Sequence, residues 1–310
     1  MTKPFRFAVQ TAFAPDGKSW RERARQVEAL GYSTLYIPDH FGEQFGPLVA
    51  LTAAAEATER LNVGALVLDN DYRHPLVLAK ELATLDLFCE GRLEAGLGAG
   101  WMKTDYDESG MPYDSPGTRI DRMVEGLAVM KGLWSQPTFS FSGEHYTITN
   151  AQGLPRPYSQ PHPKIVIGGG GKKVLSIAAR EADIVGVNPN LKSGYVGPET
   201  AASALADRYR ERIGWVREAA GDRIDDIELQ VLTFLVQIGV DPNEAAANIA
   251  PLFGIEPEAA LEIPLALVGS VDTICETLQR RREEYGLSYV VVHEAEMEAF
   301  GEVVARLAGT

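Results

Sequence analysis

Short apolar runs alternate along the chain with longer segments whose apolar residues recur at helical spacing. Residues 5–10, FRFAVQ, predict a strand. Residues 19–31 predict a helix, with Trp20, Ala24, Val27 and Leu30 on one face, Ser19 placed to cap its start and Gly31 to stop it. The alternation continues with strands over 33–38, 61–68, 92–97, 165–167, 183–187, 227–238 and 287–293. Helices fall between them over 47–60, 75–90, 119–134, 172–181, 199–220, 271–285 and 296–307, and short helical patches at 243–253 and 257–263 precede the 271–285 helix. Stretches such as Ile165-Val166-Ile167 and Val290-Val291-Val292 are apolar at consecutive positions, the pattern of strands buried on both faces. Eight strands alternating with eight principal helices predict an α/β chain built as a (β/α)₈ TIM barrel, with one domain over residues 1–310. The alternative, an open doubly wound sheet, would carry a glycine fingerprint after the first strand, and none stands there. Insertions follow strands four, six and seven. Residues 138–149 alternate around Ser142-Gly143 and predict a hairpin, and the proline-rich 153–163 stretch predicts a loop.

Composition narrows the function classes. The 310 residues are 45% hydrophobic and 23% charged, enough apolar material for a large core. The net charge of −14 and the absence of a Lys/Arg block argue against nucleic acid and anionic membranes as partners. Cys89 and Cys275 lie in helical stretches outside any CxxC, so zinc and dithiol chemistry are disfavoured and a reduced, cytoplasmic protein is expected. The N-terminus passes straight into the first strand without an apolar leader, and no run reaches the ~18 apolar residues of a membrane span.

Chemistry on a barrel sits just beyond the carboxyl ends of its strands. After strand two comes Pro38-Asp39-His40-Phe41, whose acid and imidazole can move a proton or bind a ring. After strand three comes Asp69-Asn70-Asp71-Tyr72-Arg73-His74-Pro75, with His74-Pro75 read as a helix start. After strand four, Gly96-Leu97-Gly98-Ala99-Gly100-Trp101 would let the backbone approach a flat ligand, although tight barrel packing selects the same glycines. After strand five, Gly168-Gly169-Gly170-Gly171-Lys172-Lys173 opens a helix with exposed amides and positive charge, the chemistry of a phosphate site, without the spacing of a Walker motif. Asn188, Asn190 and His293 fall at the same rim. HExxH, GxSxG and clustered His/Cys sets are all missing, and no metal is expected. Many glycines with few acid–base groups suggest that a cofactor carries the difficult chemistry.

At these residues the chain resembles the luciferase-like flavin and deazaflavin oxidoreductases. The likeness rests on Ile37-Pro38-Asp39-His40-Phe41, Arg73-His74-Pro75 with the helix after it, Gly91-Arg92-Leu93 through Trp101, and Ile165-Val166-Ile167 with its four glycines, all in the family's order. The stretch from Gly91 through Tyr106 looks like the branch that uses deazaflavin coenzyme F420. The resemblance implies an oxidoreductase, homodimeric as a rule, that passes a hydride between coenzyme F420 and a small organic substrate. It implies a bulge in strand three, often with a non-prolyl cis peptide, behind the ring at Ala65-Leu66. It places Asn70, Gly98, Ala99, Gly100 and Met102 by the cofactor, and the phosphate-bearing tail on Gly168, Gly169, Gly170, Gly171 and Lys172. Asp39 and His40 match the family's catalytic pair. Sugar-phosphate dehydrogenases of the family carry a Glu where this chain has Trp101, so the resemblance does not carry over that activity, and Asp105 and Tyr106 are the candidates to be recruited instead. FMN in a luciferase-like monooxygenase, and a flavin- or F420-binding protein without catalysis, are the alternatives. Substrate choice is expected from the insertions 105–117, 138–163 and 192–198.

Overall fold

The computed structural model describes residues 3–310. Eight parallel strands close into a barrel: Arg6–Gln10, Thr34–Ile37, Asn62–Ala65, Leu93–Gly98, Lys164–Gly169, Ile184–Val187, Glu228–Leu232 and Leu287–His293. They are called strands one to eight below. Strand one lies between strands two and eight, and pairing of Val63 with Leu93 between strands three and four closes the ring. Helices follow the strands and bury their apolar sides on the outer face of the sheet, so each strand is covered on both sides and reads as a continuous apolar run.

The barrel interior is small and layered. Ala8, Tyr36, Val166, Ile184, Tyr289 and Val291 fill its middle, with Leu66 and Leu232 packed above them. Towards the amino ends of the strands lies a buried polar layer. Glu94 accepts from Tyr36 and Arg6, and from the Tyr289 hydroxyl at 3.0 Å; Arg6 also holds Glu228 at 2.7 Å. A carboxylate this deep is tolerable only when charged and neutral donors surround it.

Several local expectations shift. The first helix runs Gly17–Ala29, and Asp16 caps it by accepting from Ser19 N–H. The 199–220 helix divides into Pro198–Ser203 and Ala206–Ala220 at Leu205, whose backbone is extended. The apolar run 227–238 is two strands. Strand seven ends at Leu232, and Leu235–Ile238 leaves the barrel to pair in parallel with Ala266–Gly269, a strand the helical reading of that region did not anticipate. The run 61–68 is likewise interrupted: Asn62–Ala65 is separated from Leu68–Asp69 by a cis peptide between Leu66 and Val67, one position beyond the expected Ala65-Leu66.

The expected hairpin forms from Phe139–Ser142 and Thr147–Ala151. It comes after the helix Pro116–Ser135, on the return path to strand five, so only its tip climbs back towards the carboxyl side, where Tyr146 meets Asn70. The proline-rich stretch lies at the opposite end. Ser159 donates to Asp86, and Tyr158 crowds Gly91 at the entrance to strand four. Tyr158 and Ser159 therefore lie by the amino end of strand four, away from the carboxyl face where substrate selection was expected of this stretch.

Candidate functional site at the carboxyl face

The carboxyl end of the barrel is a shallow mouth. Half-buried Leu66 and Leu232 cap the interior core there, with Val67 and Gly168, also half-buried, beside them. Gln10 and His293, neighbours in register on strands one and eight, stand beside it, and Gln10 donates to the Leu66 carbonyl at 3.2 Å. Burial lowers the pKa of His293, so its ring is neutral at pH 7. The rim loops also expose Phe13, Phe41, Tyr195 and Phe234.

The strand-four glycines answer to the break in strand three. A Cβ at Gly96 would lie 1.8 Å from the Ala65 carbonyl oxygen, and one at Gly98 would lie 2.5 Å from Val67 Cγ2. Tight packing explains both, and Val67, rather than Gly98, faces the mouth. Gly100 has φ +71°, and its bare Cα leaves room for Tyr106 and Asp69 to meet. Ala99 and Gly100 turn their carbonyls to the buried Arg119, at 3.2 and 3.4 Å. Met102 precedes the helix Lys103–Ser109 and is half-buried. Ala65 and Asn70 are buried. The Asn70 amide donates to Tyr146 at 3.1 Å and packs over Gly126, so its side chain points into the helix layer rather than the mouth.

Asp39 and His40 both reach the rim but do not pair with each other. Arg73 clasps Asp39 with two bonds, 2.6 and 3.2 Å, and the Asp69 amide adds a third at 3.1 Å. His40 Nδ1 lies 2.6 Å from Asp105 Oδ2, and its ring meets Trp101 edge-on with centroids 5.7 Å apart. Tyr72 donates to the same Asp105 oxygen at 3.0 Å. Behind them the Tyr106 hydroxyl lies within bonding distance of Asp69, at 3.1 Å, and of Asp71, at 3.0 Å, and its single proton is shared between them. Burial, then the charges of Asp71 and Asp39, push Asp69 up to about 7 against the pull of the Asp71 amide and Tyr106. Tyr72 and Tyr106 titrate far above neutrality, through burial first and the surrounding carboxylates second, and remain donors. Asp69 and Tyr72 were visible in the sequence only as part of a polar stretch after strand three, and Arg73 only in that stretch and in the Arg73-His74-Pro75 run of the resemblance.

The glycine loop after strand five opens the helix Lys172–Glu181, whose first-turn amides have no carbonyl of their own helix to bond. Gly169 accommodates Val174, and Gly170 passes 2.2 Å (as a Cβ would measure it) from the Pro189 carbonyl, whereas nothing lies within 4 Å of a Cβ built on Gly171. Arg212 is buried under the loop and donates to the carbonyls of Gly170, at 3.0 Å, and Ser203. Lys172 and Lys173 are exposed and already engaged by Glu218 and Asp121. Asn188 ties the loop to strand six through the Gly169 carbonyl at 2.9 Å. Open space at a helix start, over a buried guanidinium, suits the phosphate of a nucleotide-like cofactor. Among the described residues no group of three or more His, Cys, Asp or Glu could hold a metal ion.

The sequence profile of the luciferase-like monooxygenases matches residues 3–266. The chain belongs to that family. It is 33% identical over 164 residues to an FMNH(2)-dependent dimethylsulfone monooxygenase of Pseudomonas putida, a match covering 52% of this chain and 45% of that protein. An F420-dependent glucose-6-phosphate dehydrogenase of Kineococcus radiotolerans is 28% identical over 268 residues, 81% of this chain and 74% of that one. Among solved structures, the coenzyme F420-dependent tetrahydromethanopterin reductase of Methanopyrus kandleri superposes with a TM-score of 0.77 over 98% of this chain and 99% of that one, at 20% identity, and so shares the barrel fold. Several curated relatives are matched over less than two thirds of their length, the dimethylsulfone monooxygenase among them.

Proposed function

We propose that this member of the family is an oxidoreductase that passes a hydride between deazaflavin coenzyme F420 and a small organic substrate. The observation that carries the reading is the continuity of three parts on one face: the apolar floor at Leu66, Val67 and Leu232, the open helix start at Gly171, and the imidazole of His40 on the rim. The floor suits a planar ring. The amides of Gly171, Lys172 and Lys173 would take its phosphate-bearing tail, with Arg212 beneath them. The cofactor supplies hydride chemistry; the chain orients substrate and handles the proton. His40 is the rim group suited to that proton, since Arg73 and the Asp69 amide occupy both oxygens of Asp39.

Fluorescence and absorbance titrations with coenzyme F420 and with FMN test the choice of cofactor. Micromolar binding of coenzyme F420, followed by its reduction or oxidation with an added substrate, is the expected result. Saturation by FMN alone, with oxygen consumed in turnover, would instead favour a flavin monooxygenase, the reading supported by the similarity to the dimethylsulfone monooxygenase.

The same proposal includes a homodimer. Helices Pro47–Glu56 and Pro75–Phe88 are apolar nearly all round, and they expose Val49, Val77, Leu87 and Phe88. Beside them runs a groove of about 240 Å³ lined by Leu76, Ala79, Leu133, Trp134 and Leu154. A second copy would cover this surface. Both cysteines are buried and unpaired, which fits a reducing, cytoplasmic setting, and among the described residues no helix is long and apolar enough to cross a membrane.

A further inference from the structure

We propose that Asp105 is the positioning residue of the site, and that it fixes His40 as the Nδ1–H tautomer, leaving Nε2 as the proton acceptor. The proposal rests on the reading of His40 as the group that handles the proton.

Three observations support it. Asp105 stands in the first turn of Lys103–Ser109 and is only 3% exposed, so its carboxylate is held by its neighbours rather than by water. Every polar neighbour with a defined donor gives to it. Tyr72 donates its hydroxyl to Oδ2 at 3.0 Å, and the Phe41 amide points at Oδ1 from 3.5 Å. A carboxylate so surrounded accepts from the His40 ring as well, which places a proton on Nδ1, 2.6 Å away, and leaves the Nε2 lone pair bare. Trp101 restricts rotation of the ring by packing against it edge-on.

The adjacent Asp39 cannot take this part, because Arg73 and the Asp69 amide use both its oxygens. The acid that orients the imidazole therefore comes from the loop after strand four, 65 residues along the chain. With a cofactor bound to accept the C–H hydride of a substrate alcohol, Nε2 would take the O–H proton, and a carbonyl would result. The imidazolium so formed keeps its Nδ1–H···Asp105 bond, now between opposite charges and stronger for it. In the reverse direction the same proton returns to the carbonyl oxygen. Tyr72 donates to the Asp105 carboxylate and does not itself exchange the proton, since burial and the surrounding carboxylates hold its pKa far above neutrality.

The test begins on the cofactor-free protein. The ¹⁵N signals of His40, resolved from those of the other four histidines, should report a protonated Nδ1 and a bare Nε2 in the neutral ring. An Nε2–H tautomer in the unmodified protein would overturn the proposal without any variant being made. Asp105→Leu should convert His40 to the Nε2–H form and leave the other histidine signals in place, whereas Tyr72→Phe should retain Nδ1–H. With cofactor and substrate, Asp105→Leu should lower kcat about 10²-fold or more at unchanged cofactor affinity, the scale of a lost general base. An unchanged tautomer in Asp105→Leu would equally sink the idea. Failure to bind any flavin or deazaflavin would remove the proposed function while leaving the tautomer result to stand by itself.

Discussion

Asp69 shows how far the site departs from ordinary carboxylate behaviour. Its hydroxyl donor Tyr106 and the neighbouring Asp71 and Asp39 enclose it, and its pKa rises from 3.8 to about 7. A raised acid pKa means the folded protein holds a proton that the unfolded chain has released. Asp69 therefore favours folding below about pH 4, and that contribution declines as pH climbs to 7, by up to ~4 kcal/mol at full effect. Asp69→Asn should remove this slope: urea midpoints of variant and parent should agree near pH 4, and the variant should be the more stable at pH 8. Gly100→Ala should cost about 1–3 kcal/mol, because its φ is +71° and the new methyl would strike Tyr106 and Asp69. Thermal unfolding measures that loss. At this scale the sequence was only half legible. Asp39 and His40 were readable as a rim pair because they are adjacent. The partners they chose, Arg73 and Asp105, lie 34 and 65 residues away, and no local pattern encodes such a meeting.

Between the strands and helices, one loop separates two roles for glycine. Gly170 has no room for a methyl, which would sit 2.2 Å from the Pro189 carbonyl, whereas Gly171 has space and φ −107°. Gly171→Ala should leave the thermal midpoint unchanged and weaken cofactor binding, as read by fluorescence titration, because its methyl would project into the open space proposed for the phosphate. Gly170→Ala should lower the midpoint itself. Element identity was well signalled, since buried parallel strands read as short apolar runs and helices carry Pro starts at Pro47, Pro75 and Pro116. The break in strand three was legible only through the family resemblance, and one position early, because Leu66 and Val67 are as apolar as the residues around them. Its trace was indirect: Gly96 and Gly98 on the neighbouring strand are small to receive it.

For the molecule as a whole, the exposed apolar stripe on the second and third helices predicts association. Sedimentation at micromolar concentration should give twice the 33.7 kDa chain mass, and Val77→Glu with Phe88→Glu should return it to the monomer without loss of fold. Closure of the barrel was legible from the count of alternating elements. The route of the chain around it was not. The hairpin and the proline-rich stretch were contiguous with a strand-four insertion in sequence, but they follow the long helix Pro116–Ser135 on its return path, so only the hairpin tip comes back to the carboxyl side and Ser159 meets Asp86 away from it.

The parallel pair Leu235–Ile238 and Ala266–Gly269 brackets an excursion with its own small core of Ala245, Ala246, Ile249, Ala250, Ala260 and Val268. Such a segment is a cassette: it leaves and rejoins the chain through two adjacent extended pieces, so its contents can be shortened, lengthened or replaced while the staves of the barrel stay where they are. The rim above strand seven can in this way acquire a new shape for a new molecule without renegotiating the fold that carries it.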